Sequence, residues 1–141
     1  MASLLSGPIL IVEDDADIRE SLEGFLELQG YEVLAVTHGR EALEHLQRGA
    51  RPAIVLLDMA MPVMDGHRLL TFRKENPGLQ EVPVIIISAG MAAMNPRDRA
   101  LYAANYNVAF FFKKPADPQL LLEVIERHAL RPAESSAGAP A

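Results

Sequence analysis

Short apolar runs alternate along the chain with longer segments in which apolar residues recur at helical spacing. Four of the five runs are nearly continuous, which is typical of strands covered on both faces. The second run is weaker, and we expect it at an edge of the sheet. The predicted strands span residues 9–12, 33–36, 54–57, 84–87 and 109–112.

Each segment between the strands carries the signals of an amphipathic helix. The apolar face of the first helix is formed by Ile18, Leu22, Phe25 and Leu26, the second helix spans 40–48, and the third spans about 66–74. Residues that favour helix boundaries lie at the expected places: Gly30, Gly49 and Asn76-Pro77-Gly78 after the first three helices, and Asn95-Pro96 and Asp117-Pro118 at the start of the last two. Five strand–helix units predict an α/β fold, a doubly wound five-stranded parallel sheet with five helices on its two faces.

The extent of the folded unit follows from composition. We expect a flexible N-terminal segment at 1–7, one domain at 8–130, and a disordered tail or linker stub at 131–141. The tail consists mainly of Ala, Pro, Ser and Gly and cannot bury enough apolar surface to become ordered. A stand-alone regulator and a piece of a longer chain are both compatible with this layout.

Composition excludes several functional classes. The 141 residues contain no cysteine, which rules out disulfides and thiolate chemistry, and the four histidines form no metal-ligand motif. A net charge of −6 argues against direct nucleic-acid binding. No apolar run approaches the ~18 residues of a membrane span, and no basic segment precedes an apolar block at the N-terminus. We therefore expect no membrane association and a cytoplasmic location.

Polar residues cluster where predicted strands end, at the edge of the sheet where open α/β folds place their sites. Glu13 and Asp14 follow the first strand, Asp58 the third, Ser88 the fourth and Lys114 the fifth. Two carboxylates ~4 Å apart repel by ~4 kcal/mol at a surface-like effective dielectric. A hard divalent cation such as Mg²⁺ relieves that repulsion, and with a lysine it can neutralise a phosphoryl group in transfer to a carboxylate.

Four blocks of sequence together resemble the receiver domains of two-component response regulators in order and spacing. They are Ile-Leu-Ile-Val-Glu-Asp-Asp (9–15), Leu-Leu-Asp-Met-Ala-Met-Pro-Val-Met-Asp-Gly (56–66), Ile-Ile-Ile-Ser-Ala (85–89) and Lys-Pro (114–115). The resemblance covers roughly residues 8–130. It implies a flavodoxin-like fold with strand order 2-1-3-4-5.

The resemblance also implies a phosphorylation site. Asp58 would accept a phosphoryl group from a histidine kinase or a histidine phosphotransfer protein, with Mg²⁺ as cofactor. Glu13, Asp14, Asp58 and the backbone carbonyl of Ala60 would hold the ion, with Asp14 preferred over Glu13 as a direct ligand. Lys114 would pair with the phosphate, across a cis peptide bond to the following proline.

The same resemblance assigns a switch and an output. Ser88 would bond to a phosphoryl oxygen, and Phe111 would be the aromatic residue that rotates with it. The signal would pass through a changed helix 4–strand 5–helix 5 surface to a downstream protein or an output domain. Such a domain acts as a monomer or a phosphorylation-dependent dimer, and it catalyses only its own phosphorylation and dephosphorylation.

Two other functions stay open. A haloacid-dehalogenase-like phosphatase also uses an aspartyl phosphate, but it needs a second acid two residues after the nucleophile, where Ala60 lies here. A receiver-like adaptor that never uses phosphate is the other. The chain also departs from the family pattern: extra residues lie near 90–95, Phe111 lacks a hydroxyl group, and Asn107 replaces a common glycine.

Overall fold

The fold is described by a computed structural model covering residues 5–58, 63–88 and 95–132, with the backbone alone for residues 63–67. Strands and helices alternate through this part of the chain. The strands are β1 (Ile9–Val12), β2 (Val33–Val36), β3 (Ile54–Asp58), β4 (Val84–Ser88) and β5 (Val108–Lys113). The helices are α1 (Ala16–Leu28), α2 (Gly39–Gln47), α3 (Val63–Glu75), α4 (Pro96–Tyr106) and α5 (Pro118–His128).

The five strands form one parallel sheet in the order β2-β1-β3-β4-β5. This confirms the predicted α/β class and the strand order, and it places the weak strand β2 at an edge. The sheet buries two apolar clusters, one on each face. Leu10, Val12, Val55 and Leu57 face α2 and α3, whereas Ile9, Ile11, Ile54 and Leu56 face α1 and α5. The alternation explains why the strands read as continuous apolar runs.

Three strands extend beyond their apolar runs into polar residues. The ladder pairs Asp58 with Ile87, and Ser88 with Lys113, so that β3 and β4 each gain one residue at the C-terminal end. The apolar pattern could not predict these extra residues, because the end of a strand is set by its backbone pairing and not by the polarity of its side chains. As a result Asp58 and Ser88 are both buried within the sheet, each 2% exposed.

Helix boundaries follow the predicted capping residues, with one exception. The side chains of Asn95 and Asp117 each accept a backbone hydrogen bond at the start of a helix, and Asp15 does the same at the start of α1. Asn107 ends α4 in the left-handed conformation, at φ 55°. The start of α3 was predicted near 66 but lies at Val63, because the helix runs through Gly66 in spite of the low helix propensity of glycine.

The ends of the described chain pack onto the domain. The Ser6 amide donates to the Leu130 carbonyl (2.9 Å), and Leu5 packs against the α1–α5 cluster. The Arg131 guanidinium donates to the Glu126 carbonyl (2.9 Å). The remaining parts of the two expected terminal segments, 1–4 and 133–141, lie outside the described residues. Among the described helices, none combines the length and the apolar character that crossing a bilayer requires.

Candidate functional site

Side chains from three strand ends converge at one edge of the sheet. The Lys114 ammonium donates to Asp58 Oδ2 at 2.9 Å. The same ammonium lies 3.3 Å from Glu13 Oε1 and 3.4 Å from Glu13 Oε2. The Lys114 ammonium, which follows β5, therefore contacts two buried carboxylates, that of Glu13 at the end of β1 and that of Asp58 at the end of β3.

Backbone contacts fix Glu13 in place. Its amide donates to the Val36 carbonyl on β2 (3.1 Å), and its own carbonyl accepts from the Arg19 guanidinium of α1 (3.0 Å). Its carboxylate Oε2 accepts from the Asp15 amide (3.1 Å), just before α1 begins. The side chain is thus held by the turn that joins β1 to α1 and has little freedom to leave the cluster.

Burial and crowding alter the ionisation of these groups. Burial raises the pKa of Glu13 to about 7, and the hydrogen bond and negative charge of Asp58 add to that rise. Burial disfavours the Lys114 ammonium, but the hydrogen bond and charge of Asp58, with Glu13 beside it, outweigh that effect and raise the pKa of Lys114. Near neutral pH the cluster can therefore take up a proton, a sign that it holds more negative charge than Lys114 balances.

A third carboxylate completes the acidic group. Oxygen atoms of Glu13, Asp14 and Asp58 all lie within 4.8 Å of one another, with Asp14 exposed and the other two buried. Three converging carboxylate oxygens suit a hard divalent cation such as Mg²⁺, whose remaining positions are filled by water and phosphate oxygens. The donor set therefore fits the predicted ion. Ala60, whose carbonyl was the fourth predicted ligand, lies outside the described residues.

The two predicted switch residues lie on the neighbouring strands. Ser88 ends β4 and is buried. It follows Ile87, the residue that pairs with Asp58 across the β3–β4 ladder. Phe111 is half-buried on β5, on the α4 face, with its ring 6.5 Å from that of Tyr102. Phe112, its neighbour, faces α1 and α5 instead. The peptide bond between Lys114 and Pro115 is cis, as the resemblance implies.

The sequence did not predict an open groove beside the site. Its volume is about 580 Å³, and it lies between α1 and α5, with Glu13 and Lys114 at one end. Ile18, Leu22 and Phe25, which we assigned to the apolar face of α1, form part of its wall, and Ile18 is 44% exposed. Helical periodicity identifies an apolar face but not whether another element covers it.

Comparison with known proteins gives a consistent result. A sequence profile of the response regulator receiver domain matches residues 9–126. The chain is 39% identical over 127 residues to the response regulator protein FleR of Pseudomonas aeruginosa, covering 89% of this chain and 25% of that protein. It is 35% identical over 121 residues to protein Rrf1 of Nitratidesulfovibrio vulgaris, covering 84% of this chain and 80% of that protein. The chain thus spans a quarter of one relative and most of the other.

Solved structures agree with the sequence relatives. The chemotaxis protein CheY4 of Vibrio cholerae superimposes with a TM-score of 0.75 at 25% identity, covering 89% of this chain and 99% of that one. The signal receiver domain of a histidine kinase from Syntrophus aciditrophicus gives a TM-score of 0.71 at 34% identity, covering 86% and 89%. On the profile match, the relatives and the fold, the chain belongs to the family of response regulator receiver domains, the signalling domains of two-component systems.

Proposed function

We propose that this chain is a phosphorylation switch in which Asp58 accepts the phosphoryl group. The observation that carries the proposal is the position of its carboxylate, buried at the end of β3 with Oδ2 2.9 Å from the Lys114 ammonium. A buried carboxylate beside two other acids is costly, and a structural role alone gives no reason to keep it there.

The transfer itself needs little from the protein beyond position and charge. A carboxylate oxygen of Asp58 attacks the phosphorus atom of a phosphohistidine, the P–O bond forms as the P–N bond breaks, and the imidazole leaves with the bond's electron pair. Lys114 turns from the carboxylates towards a phosphoryl oxygen as the charge arrives. Its raised pKa keeps it protonated through this step.

The acidic group supplies the cofactor site. Asp14 and Asp58, with Glu13 nearby and the Ala60 carbonyl as a further donor, would hold Mg²⁺. When bound, the ion neutralises the crowded carboxylates and the incoming phosphoryl oxygens. Glu13 has a pKa of about 7, so the cluster must release a proton before it offers its full negative charge to a cation.

The output passes through the α4–β5–α5 surface. Phosphorylation places a phosphoryl group of about −1.5 to −2 charges at Asp58, in place of the single negative charge of the free carboxylate. Ser88 bonds to a phosphoryl oxygen, and Phe111 follows it on β5. Each of the three elements exposes one large apolar residue, Leu101 on α4, Phe110 on β5 and Leu120 on α5. A downstream protein or an output domain that prefers the repacked surface is favoured by phosphate, and by linkage it favours phosphorylation in return.

The phosphodonor docks in the groove between α1 and α5. This groove ends at Glu13 and Lys114, so a helix lying in it brings a side chain to the mouth of the Asp58 site. Its walls are apolar and its rim includes the acidic Asp17, which suits a donor helix with an apolar face and basic flanks. The donor would be a histidine kinase or a histidine phosphotransfer protein.

The experiment is incubation with Mg²⁺ and a small acyl phosphate, followed by measurement of the intact mass. The wild type should gain one phosphoryl group, whereas Asp58→Asn and wild type with excess chelator should gain none. A wild type that gains nothing counts against the switch and favours the phosphate-independent adaptor. Repeated turnover of phosphate esters would instead favour the phosphatase.

A further inference from the structure

Arg73 of α3 is a buried cation that the phosphorylation site does not use. Only 3% of its surface is exposed, and burial lowers the pKa of its guanidinium group. Burying an ion is unfavourable unless its hydrogen-bonding groups are satisfied. Within the part of the chain that the structure describes, the partners of this guanidinium are backbone carbonyl groups and not carboxylates.

These carbonyl groups belong to two separate places in the fold. Nε of Arg73 donates to the Val82 carbonyl (2.6 Å), and Nη2 lies 3.4 Å from the Gln80 carbonyl, both just before β4. Nη1 donates to the Tyr106 carbonyl (2.7 Å) and Nη2 to the Asn107 carbonyl (3.2 Å), both at the end of α4. One side chain therefore joins α3, the segment that leads into β4, and the C-terminal end of α4.

The end of α4 is well suited to such a partner. The last carbonyl groups of a helix have no partner within the helix, and the helix dipole places negative charge there. The planar guanidinium group presents five donors in fixed directions, enough to reach carbonyl groups in two separate places, whereas a lysine ammonium has three donors at a single nitrogen atom. Arg73 thus acts as a C-terminal cap supplied by another helix.

The rest of α4 is attached more weakly. None of its residues is buried, and the contacts that join it to the core come from Tyr102 and Tyr106 in its second half. Its first residues, Pro96, Arg97 and Asp98, are exposed. Pro96 comes eight residues after Ser88, which ends β4, so the N-terminal end of α4 is the end nearer in sequence to the site.

We propose that Arg73 is the anchor of α4, fixing its C-terminal end so that only its N-terminal end moves when the site is phosphorylated. The helix then pivots about the Tyr106 and Asn107 carbonyl groups. The anchor follows from the contacts of Arg73 alone, whereas the pivot rests on the proposed function of Asp58.

Amide hydrogen exchange along α4 tests both parts. In the unphosphorylated protein, Arg73→Lys should speed exchange at 103–108 about tenfold, since losing a hydrogen bond to a charged group shifts local opening by roughly that factor. Exchange at 97–100 should stay unchanged. The control is Arg48→Met, which removes an exposed arginine at the C-terminal end of α2 and should alter neither segment. If Arg73→Lys leaves 103–108 unchanged, or speeds the whole domain equally, the anchor is overturned.

The pivot is tested in wild type carrying phosphate, with loading confirmed by mass. Exchange should change at 97–100 and stay within about twofold at 103–108. In phosphorylated Arg73→Lys the change should spread to both segments. Equal changes at both ends of wild-type α4 would overturn the pivot. A protein that gains no phosphoryl mass overturns the proposed function and the pivot together, while the unphosphorylated comparison still decides the anchor.

Discussion

Replacing Asp58 by asparagine should make the cation-free protein more stable, although it removes the shortest ion pair of the site. At 2.9 Å, the attraction between Asp58 and Lys114 is about 6 kcal/mol at an effective dielectric of 20. Glu13 and Asp14 oppose this attraction, because their carboxylate oxygens lie within 4.8 Å of that of Asp58. At that distance each ionised carboxylate repels Asp58 by at least about 3.5 kcal/mol before solvent screening. The two effects nearly cancel, so the cost of burying an ionised carboxylate decides the outcome.

The asparagine variant has no ionised carboxylate to bury at position 58, and it can keep the hydrogen bond from Lys114. The amide oxygen still accepts from Lys114, and Glu13 then has the ammonium to itself. We expect the free energy of unfolding at about pH 8 to rise by about 1–3 kcal/mol, as when other buried charges are replaced by neutral groups. Urea unfolding followed by circular dichroism, with a chelator present, measures it.

Two comparisons make the result decisive. Glu20→Gln removes one negative charge from an exposed position on α1 and should change stability by no more than about 0.5 kcal/mol. Adding Mg²⁺ should stabilise wild type more than Asp58→Asn, because only wild type offers all three carboxylates. If Asp58→Asn lowers the stability of the cation-free protein by more than about 1 kcal/mol, the ion pair outweighs the crowding and our reading of the cluster is wrong.

Three further outcomes follow from the same structure. The pKa of Glu13 rises from 4.5 to about 7 on folding, so between these values the folded state holds a proton that the unfolded state releases. The free energy of unfolding of the cation-free protein, measured with urea, should therefore fall by about 3 kcal/mol between about pH 5 and pH 8. Glu13→Gln should flatten this pH profile, and an unchanged slope would contradict the shift. Asn107→Ala should lower the free energy of unfolding by about 1 kcal/mol, because φ is 55° at this position and alanine disfavours the left-handed conformation. Asn107→Gly should change it by less, since glycine adopts this conformation readily. Equal effects of the two substitutions would argue against backbone strain at position 107. Ile18→Asp should slow phosphotransfer from a phosphohistidine protein about tenfold and leave the rate with a small acyl phosphate unchanged. The control is Leu28→Asp, which changes an exposed residue of the same helix, and equal slowing by both variants would place the donor elsewhere.

The strands and the chemistry of the site were accessible to sequence reasoning for physical reasons. In a parallel sheet covered on both faces, strands are continuous apolar runs, so their positions are visible in a single sequence. Parallel strands also bring their carboxyl ends to one edge, and this is why Glu13, Asp58 and Lys114 could be expected together from three distant segments. The capping residues Asn95 and Asp117 are local signals in the same sense.

What the sequence did not show depends on packing between distant segments. Arg73 appears in the sequence only as half of a basic pair with Lys74, yet one of the two is buried on backbone carbonyl groups and the other is exposed. No local pattern distinguishes them. Likewise the spacing of Ile18 predicted an apolar face of α1 and could not reveal the groove that this face leaves open towards Lys114.

The position of the phosphoryl group on the chain decides whether Asp58 is the acceptor. After reaction with Mg²⁺ and a small acyl phosphate, borohydride reduces an aspartyl phosphate to homoserine, and tryptic fragmentation then identifies the altered residue. The peptide that carries Asp58 also carries Asp65, which serves as an internal comparison. We predict homoserine at position 58 and nowhere else. Homoserine at 65 or 14, or an unaltered chain after confirmed exposure to the donor, would contradict a switch centred on Asp58.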